Sequence, residues 1–329
     1  MTHRNQSLKR TLTWLRSLAI AGFAVLALGG CGGSSKSSDS SSHAQNSSGA
    51  SHSTKTVRHS PPPGPAYPQV IASALSSSSA AFVPAAKWHG QTVAWIAHQP
   101  SGVDLLSFDQ HAVSLHLHSG TIDAGASGWR YGPAITGPEL SRVVVAFNGG
   151  FKLDLGSGGF ESYGRVGAPL RAGLGSIVTY KSGITDIGSW KGEVPAAGQQ
   201  VASVRQNLTL LINHGQIAPS TGCIQCWGAT IGGEAAPARA ALGITANGNL
   251  IWAAGEQLTP AALADALLHA HVLRAVELDI NPDWVAAFLY AHHSVHGRPV
   301  PLPVLQGQTN IPGDFLTPWS RDFFTIVAR

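Results

Sequence analysis

Three short segments hold residues whose types and spacing could act on a charged substrate. The first is Glu277-Leu278-Asp279-Ile280-Asn281. Strand alternation puts Glu277 and Asp279 on one face and Leu278 and Ile280 on the other. Carboxylates on one face of an apolar strand fit proton transfer or charge stabilisation; a solvent-facing sheet surface fits the same pattern. The second is Phe147-Asn148-Gly149-Gly150-Phe151. Two glycines allow a sharp turn that bares backbone N–H groups, and Asn148 offers a donor and an acceptor. A structural turn with Asn148 left-handed reads equally well. The third is Arg239-Ala240-Ala241-Leu242-Gly243, an arginine at the lip of a strand. Taken alone, such an arginine is ordinarily a solvated edge charge.

Other motifs are absent or ambiguous. There is no G-x-S-x-G, H-E-x-x-H, P-loop or dinucleotide fingerprint. His269 and His271 are two residues apart on a helix and cannot share an ion, whereas His116 and His118 would share a strand face. His292, His293 and His296 lie in a loop-like stretch. No carboxylate or cysteine joins these groups at a zinc spacing, so no metal and no cofactor is expected. Cys223-Ile224-Gln225-Cys226 sits between Pro219-Ser220-Thr221-Gly222 and Trp227-Gly228, a loop context. A local disulfide fits that context better than a redox pair opening a helix.

The positioning elements are mostly strands. Thr92–His98 and Ala112–His118 alternate apolar and polar residues, and Val143–Phe147 is a short buried run. Ser176–Tyr180 and Leu208–Ile212 each precede a turn signal. Ala241–Thr245 and Leu250–Ala254 flank Asn247-Gly248, a hairpin turn. The best helix opens with Thr259 as cap and Pro260 in the first turn, with Leu263, Leu267 and Leu268 as its stripe through about His271. Arg274–Ile280, Trp284–Tyr290 and Phe323–Val327 read as later strands. The expected class is α+β: a mixed, mostly antiparallel β-sheet core with a few helices.

Composition narrows the function. The 329 residues are 43% hydrophobic and 12% charged, with 38 Gly and 20 Pro, which argues against a coiled coil or helical bundle. Three cysteines exclude a disulfide-stapled miniprotein. The net charge of +4 matches the four basic residues Arg4, Lys9, Arg10 and Arg16 at the start. The remainder is neutral and offers no basic footprint for nucleic acid. Residues 17–30 are uncharged, but a helix of that length spans about 21 Å, short of a hydrocarbon core of roughly 30 Å. They read as the apolar part of a signal peptide. Leu28-Gly29-Gly30-Cys31 resembles a bacterial lipobox, which implies lipidation of Cys31 after cleavage before it; an ordinary buried cysteine is the other reading. Residues 1–31 are thus expected to be a lipoprotein signal and 32–66 a disordered Ser/Pro-rich tether. A folded domain over 67–329 then stands on the outer face of the cell membrane. The oligomeric state is not legible.

Taken together, in this order, the three segments resemble the phosphodiester glycosidase family. The resemblance covers roughly residues 90–329. It runs through the N-G-G-F turn, Gly158-Gly159-Phe160-Glu161, Gly164-Arg165-Val166, Arg239–Gly243, the hairpin, the Thr-Pro helix and the strand ending in Leu-Asp. It is closest to an actinobacterial-type branch with E-L-D-I-N-x-x-W, here Glu277 to Trp284. The resemblance implies hydrolysis of a sugar-1-phosphodiester in envelope glycans, releasing a sugar and a phosphomonoester. By position it implies that Arg239 grips the phosphate. Asp279 would then act as nucleophile, general base or electrostatic stabiliser, with Glu161 as a second carboxylate. Asn148 and the Gly149 and Gly150 amides would orient the substrate. Arg205 and Asn207 stand where the family has a Gly-rich loop, and Asn281 follows Asp279 where the family has a Gly-rich run; all three are expected at the substrate. These departures leave open a catalytically silent phosphoglycan-binding lipoprotein.

Overall fold

The computed structural model describes residues 64–306, 308 and 315–329. The expected signal, Cys31 and most of the tether lie outside the described residues.

Alternating and β-branched runs become three antiparallel sheets. The central part of the nine-stranded sheet carries Asp104–Phe108, Leu250–Gly255, Arg239–Thr245, Val272–Ile280 and Leu210–Asn213, in that order. In a five-stranded sheet, Val143–Asn148 lies between Ala287–Ala291 and Phe323–Ala328. In the other five-stranded sheet, Gly175–Tyr180 pairs with Thr185–Ser189 and Val201–Gln206, and the latter also pairs with Phe160–Ser162.

The fold is more sheet-dominated than an α+β label conveys. Pro260–His269 is the one α-helix among the described residues, and the other helical pieces are 3-10 turns of three to five residues. Thr259 Oγ1 accepts from the Ala262 N–H at 3.1 Å, a cap contributing about 1 kcal/mol. Leu263 and Leu267 are fully buried against Ala241, Ala253 and Ala275 on one face of the large sheet. Each contributes roughly 1.5–3 kcal/mol. The other face meets the Val143–Asn148 sheet: Phe147 packs on Phe108, Trp252 and Phe324, with ring centroids 6.4, 6.0 and 5.7 Å away. The central strands are therefore covered on both sides, which explains their unbroken apolar stretches.

The strand expected at Trp284–Tyr290 begins later, at Ala287. Asn281 adopts a left-handed conformation (φ 80°), and its carbonyl accepts from the Trp284 and Val285 N–H groups. That turn takes Trp284 out of the sheet.

Candidate functional site

Three strand ends meet at one place: the ends of Val143–Asn148 and Val272–Ile280, and the start of Phe323–Ala328. Phe323 lies opposite Asn148 in register. Asn148 works as a latch between them. Its Nδ2 donates to the Gly149 and Asp279 carbonyls, both at 3.3 Å, and its Oδ1 accepts from the Ala286 N–H at 3.4 Å. The Asp279 N–H donates to the Gly149 carbonyl at 2.8 Å.

Close approach, not a left-handed backbone, explains the two glycines. A Cβ on Gly149 would lie 2.1 Å from Asp322 Oδ2, and one on Gly150 would lie 2.7 Å from Arg205 Cζ. Their amides are also in use. The Gly149 N–H donates to the Asp322 carbonyl at 3.1 Å and the Gly150 N–H to Asp322 Oδ2 at 3.2 Å. Asn148, Gly149 and Gly150 thus hold Asp279 and Asp322 in place, and their expected direct role on a substrate is corrected.

Two arginine–carboxylate pairs form the wall behind them. Arg239 Nη1 lies 2.6 Å from Glu277 Oε1, and both side chains are 0% exposed. Arg239 also donates to the Leu258 and Trp227 carbonyls, each at 2.9 Å. Burial pushes the Glu277 carboxyl up, and the adjacent guanidinium only partly offsets it. Sealed in this way, Arg239 has no route to a ligand, so the expected phosphate grip is corrected. Arg205 makes a two-pronged contact with Asp322, at 2.8 and 3.0 Å, and both side chains are again fully buried. Its remaining hydrogen bonds go to the Phe151 and Gln206 carbonyls. Asn207 Oδ1 accepts from the Phe151 N–H at 3.2 Å, and its Nδ2 donates to the Glu277 carbonyl at 2.6 Å. Arg205 and Asn207 therefore fasten loops rather than meet a substrate.

In front of this wall opens a cleft of about 490 Å³, bordered by Asp279, Asn281, Arg321, Trp284 and Lys152. Arg321 Nη2 lies 2.8 Å from Asp279 Oδ2, a charge contact in which no N–H is aligned as a hydrogen bond. The same guanidinium pairs with Asp123 and donates to the Gly150 carbonyl at 3.1 Å. Its carbon stands 5.0 Å from the centre of the Trp284 ring, and the Lys152 ammonium 5.9 Å from it. Burial pushes the Asp279 carboxyl up to about 7, against the pull of Arg321 and of the Ile280 N–H on Oδ1 at 2.9 Å. A carboxyl near neutrality can both hold and release a proton under ordinary conditions.

The lip of the cleft is the segment 225–229. Cys223 and Cys226 are joined by a disulfide, which clips this loop. Asn281 Nδ2 reaches the Ala229 carbonyl at 3.4 Å. Gly228 is left-handed (φ 98°), and a Cβ there would meet Phe151 at 2.7 Å. Glu161 lies on the Phe160–Ser162 strand opposite Val204 and does not border the cleft, so its expected role as second carboxylate is corrected. Asp279 is the only carboxylate residue bordering the cleft among the described residues.

Of the residues expected at the site, Asp279 and Asn281 border this cleft; Arg321 and Lys152, which also border it, and Asp123, which pairs with Arg321, were not among them. One signal was present for Arg321. Arg321-Asp322 is a charged pair at the lip of an apolar strand, the same placement that drew attention to Arg239. Among the described residues no group of three or more His, Cys, Asp or Glu is placed to hold a metal ion.

No protein-family profile matches the chain, and no curated protein matches it. Solved structures give distant similarities. The zebrafish N-acetylglucosamine-1-phosphodiester alpha-N-acetylglucosaminidase catalytic domain, auto-inhibited by its pro-peptide, is 15% identical at a TM-score of 0.44, over 76% of this chain and 81% of that one. A hypothetical protein from Synechocystis is 12% identical at a TM-score of 0.37, over 73% of this chain and 63% of that one. A Burkholderia pseudomallei K96243 protein classed as exported is 12% identical at 0.29, over 72% and 75%. None of these similarities assigns an activity to this chain.

Proposed function

We propose that this chain hydrolyses sugar-1-phosphodiester bonds in cell-envelope glycans, held at the outer face of the membrane by a lipid on Cys31. The observation that carries the reading is the juxtaposition of Asp279 and Arg321 beside Trp284 in one cleft. The E-L-D-I-N-x-x-W resemblance supports it, since Asp279, Asn281 and Trp284 of that motif all border the cleft.

The chemistry follows from the groups present. A sugar ring stacks on an indole face, and a phosphodiester anion seeks a guanidinium. Arg321 takes the charge that develops on the departing phosphate oxygen, helped by Lys152. Asp123 steadies Arg321 from its other side. Ionised Asp279 takes a proton from the attacking water. The new bond joins that water oxygen to the anomeric carbon, and the carbon–oxygen bond to phosphate breaks with its electron pair going to the phosphate. A phosphomonoester leaves readily, so one carboxylate suffices where an ordinary glycosidase needs two.

One observation favours a second reading, a phosphoglycan-binding lipoprotein without turnover: the Gly149 and Gly150 amides are occupied, and among the described residues no second carboxylate borders the cleft. Incubating the chain with an activated sugar-1-phosphodiester separates the two. Release of sugar that is lost in Asp279→Ala and kept in His116→Ala supports the hydrolase. Saturable binding of a phosphoglycan without release supports the binding protein.

A further inference from the structure

A second cavity, of about 420 Å³, shares no bordering residue with the Asp279 cleft. His116, His118, Arg130, Tyr131, Glu139 and Arg142 give it its chemistry. Strand alternation places Leu115 and Leu117 in the core and turns His116 and His118 the other way, toward Glu139.

Among the described residues Glu139 is the only carboxylate residue of this cavity, and its charge is already answered. Its Oε1 accepts from His116 Nδ1 at 3.1 Å, from His118 Nε2 at 3.2 Å and from the Thr325 hydroxyl. Burial would raise this carboxyl, but the His118 charge and the two histidine hydrogen bonds hold it well below the usual carboxylate range. His118 Nδ1 meets the Gly132 carbonyl at 2.9 Å. The Thr325 hydroxyl also lies 3.3 Å from His118 Nε2, so the polar atoms of Glu139, His118 and Thr325 are engaged with one another in the cavity wall.

Two arginine charges are left over. Neither Arg130 nor Arg142 has an ion-pair partner among the described residues. Arg130 is nonetheless held in place, its guanidinium 4.5 Å from the Tyr163 ring centre and 5.7 Å from that of Tyr131. Tyr131 in turn stacks on His116 at 4.3 Å. Because His116 Nδ1 is engaged with Glu139, Nε2 is the ring nitrogen left to meet a ligand. Two guanidinium forks and an imidazole nitrogen suit a tetrahedral oxyanion.

We infer that the cavity formed by His116, Arg130 and Arg142 is a phosphate-binding site separate from the Asp279 cleft. The ligand is a phosphate group, free in solution or on a sugar. The test follows the imidazole signals of the full-length chain by 15N NMR while inorganic phosphate, and separately glucose 6-phosphate, is added. A saturable His116 shift is expected. A shift with both probes shows that the site takes a phosphate carried on a sugar, and a shift with inorganic phosphate alone makes free phosphate the ligand. The double variant R130A/R142A should bind at least about tenfold more weakly, R130K/R142K less so, and Asp279→Asn should bind as the parent does. Both arginines are exposed, so these changes leave folding intact. No His116 shift, an unchanged shift in R130A/R142A, or a shift abolished by Asp279→Asn would overturn the assignment. Failure of sugar release at the cleft would not bear on it.

Discussion

Arg239 and Arg321 stand in similar places, each at the start of a strand and each against a carboxylate. The Arg239–Glu277 pair is 0% exposed, and the guanidinium also donates to the Leu258 and Trp227 carbonyls. The Arg321–Asp279 pair keeps a few per cent of exposure, faces Trp284 and opens onto a cavity. A fully desolvated pair cannot trade its partner for a ligand, because the abandoned charge would remain buried and unpaired. Arg321 can trade, because Asp279 titrates near neutrality and Asp123 continues to hold the guanidinium. The covering loops, more than the residue types, separate the architectural pair from the pair able to meet substrate.

The largest effect is expected where the wall is broken. Arg239→Met leaves Glu277 unpaired in the interior and should lower stability by about 3–5 kcal/mol in urea unfolding. A loss below about 1 kcal/mol would mean that the pair is not sealed. Gly150→Ala forces a methyl against the Arg205 guanidinium and should cost about 1–3 kcal/mol, read in the same melts.

Asp279 sharpens the comparison through pH. Its folded value of about 7 lies above the ordinary 3.8, so the folded chain binds this proton more tightly than the unfolded chain does. The resulting stability is complete below the ordinary value and is lost as pH rises through about 7. Asp279→Asn has no such proton to lose. Its stability relative to the parent should therefore rise across that window, by an amount on the order of 1–3 kcal/mol. Equal pH profiles for the two proteins would remove the buried-carboxyl account. The smallest effect is expected at the rim of the cleft. Lys152→Ala should lower kcat/KM roughly three- to tenfold, with part of the loss in kcat, because in the proposed reaction that ammonium supports Arg321 on the departing phosphate from an exposed position.

Much of the fold was legible in the sequence. The Asn247-Gly248 hairpin, the Thr259 cap and the alternating strands each rest on local chemistry, and local chemistry decided them. Asp279 was legible for the same reason, as a carboxylate on an otherwise apolar strand. Arg239 misled because alternation gives the face of a strand but not what later covers that face. Its cover comes from Trp227 and Leu258, 12 and 19 positions away in the loops that flank its own hairpin. Arg321 escaped notice because its partners, Asp123 and Asp279, are 198 and 42 positions away along the chain. Gly149 and Gly150 were recognisable as a turn, but the tight approach of Asp322 and Arg205 that requires them exists only once the strands have assembled.

The central claim is that Asp279 and Arg321 act together on a sugar-1-phosphodiester. Its most direct test is the steady-state rate of phosphomonoester release by the folded parent, Asp279→Asn and Arg321→Lys. The account predicts a fall in kcat of at least about a hundredfold for Asp279→Asn, with a large loss for Arg321→Lys as well. Release by Asp279→Asn at the parental rate would contradict it.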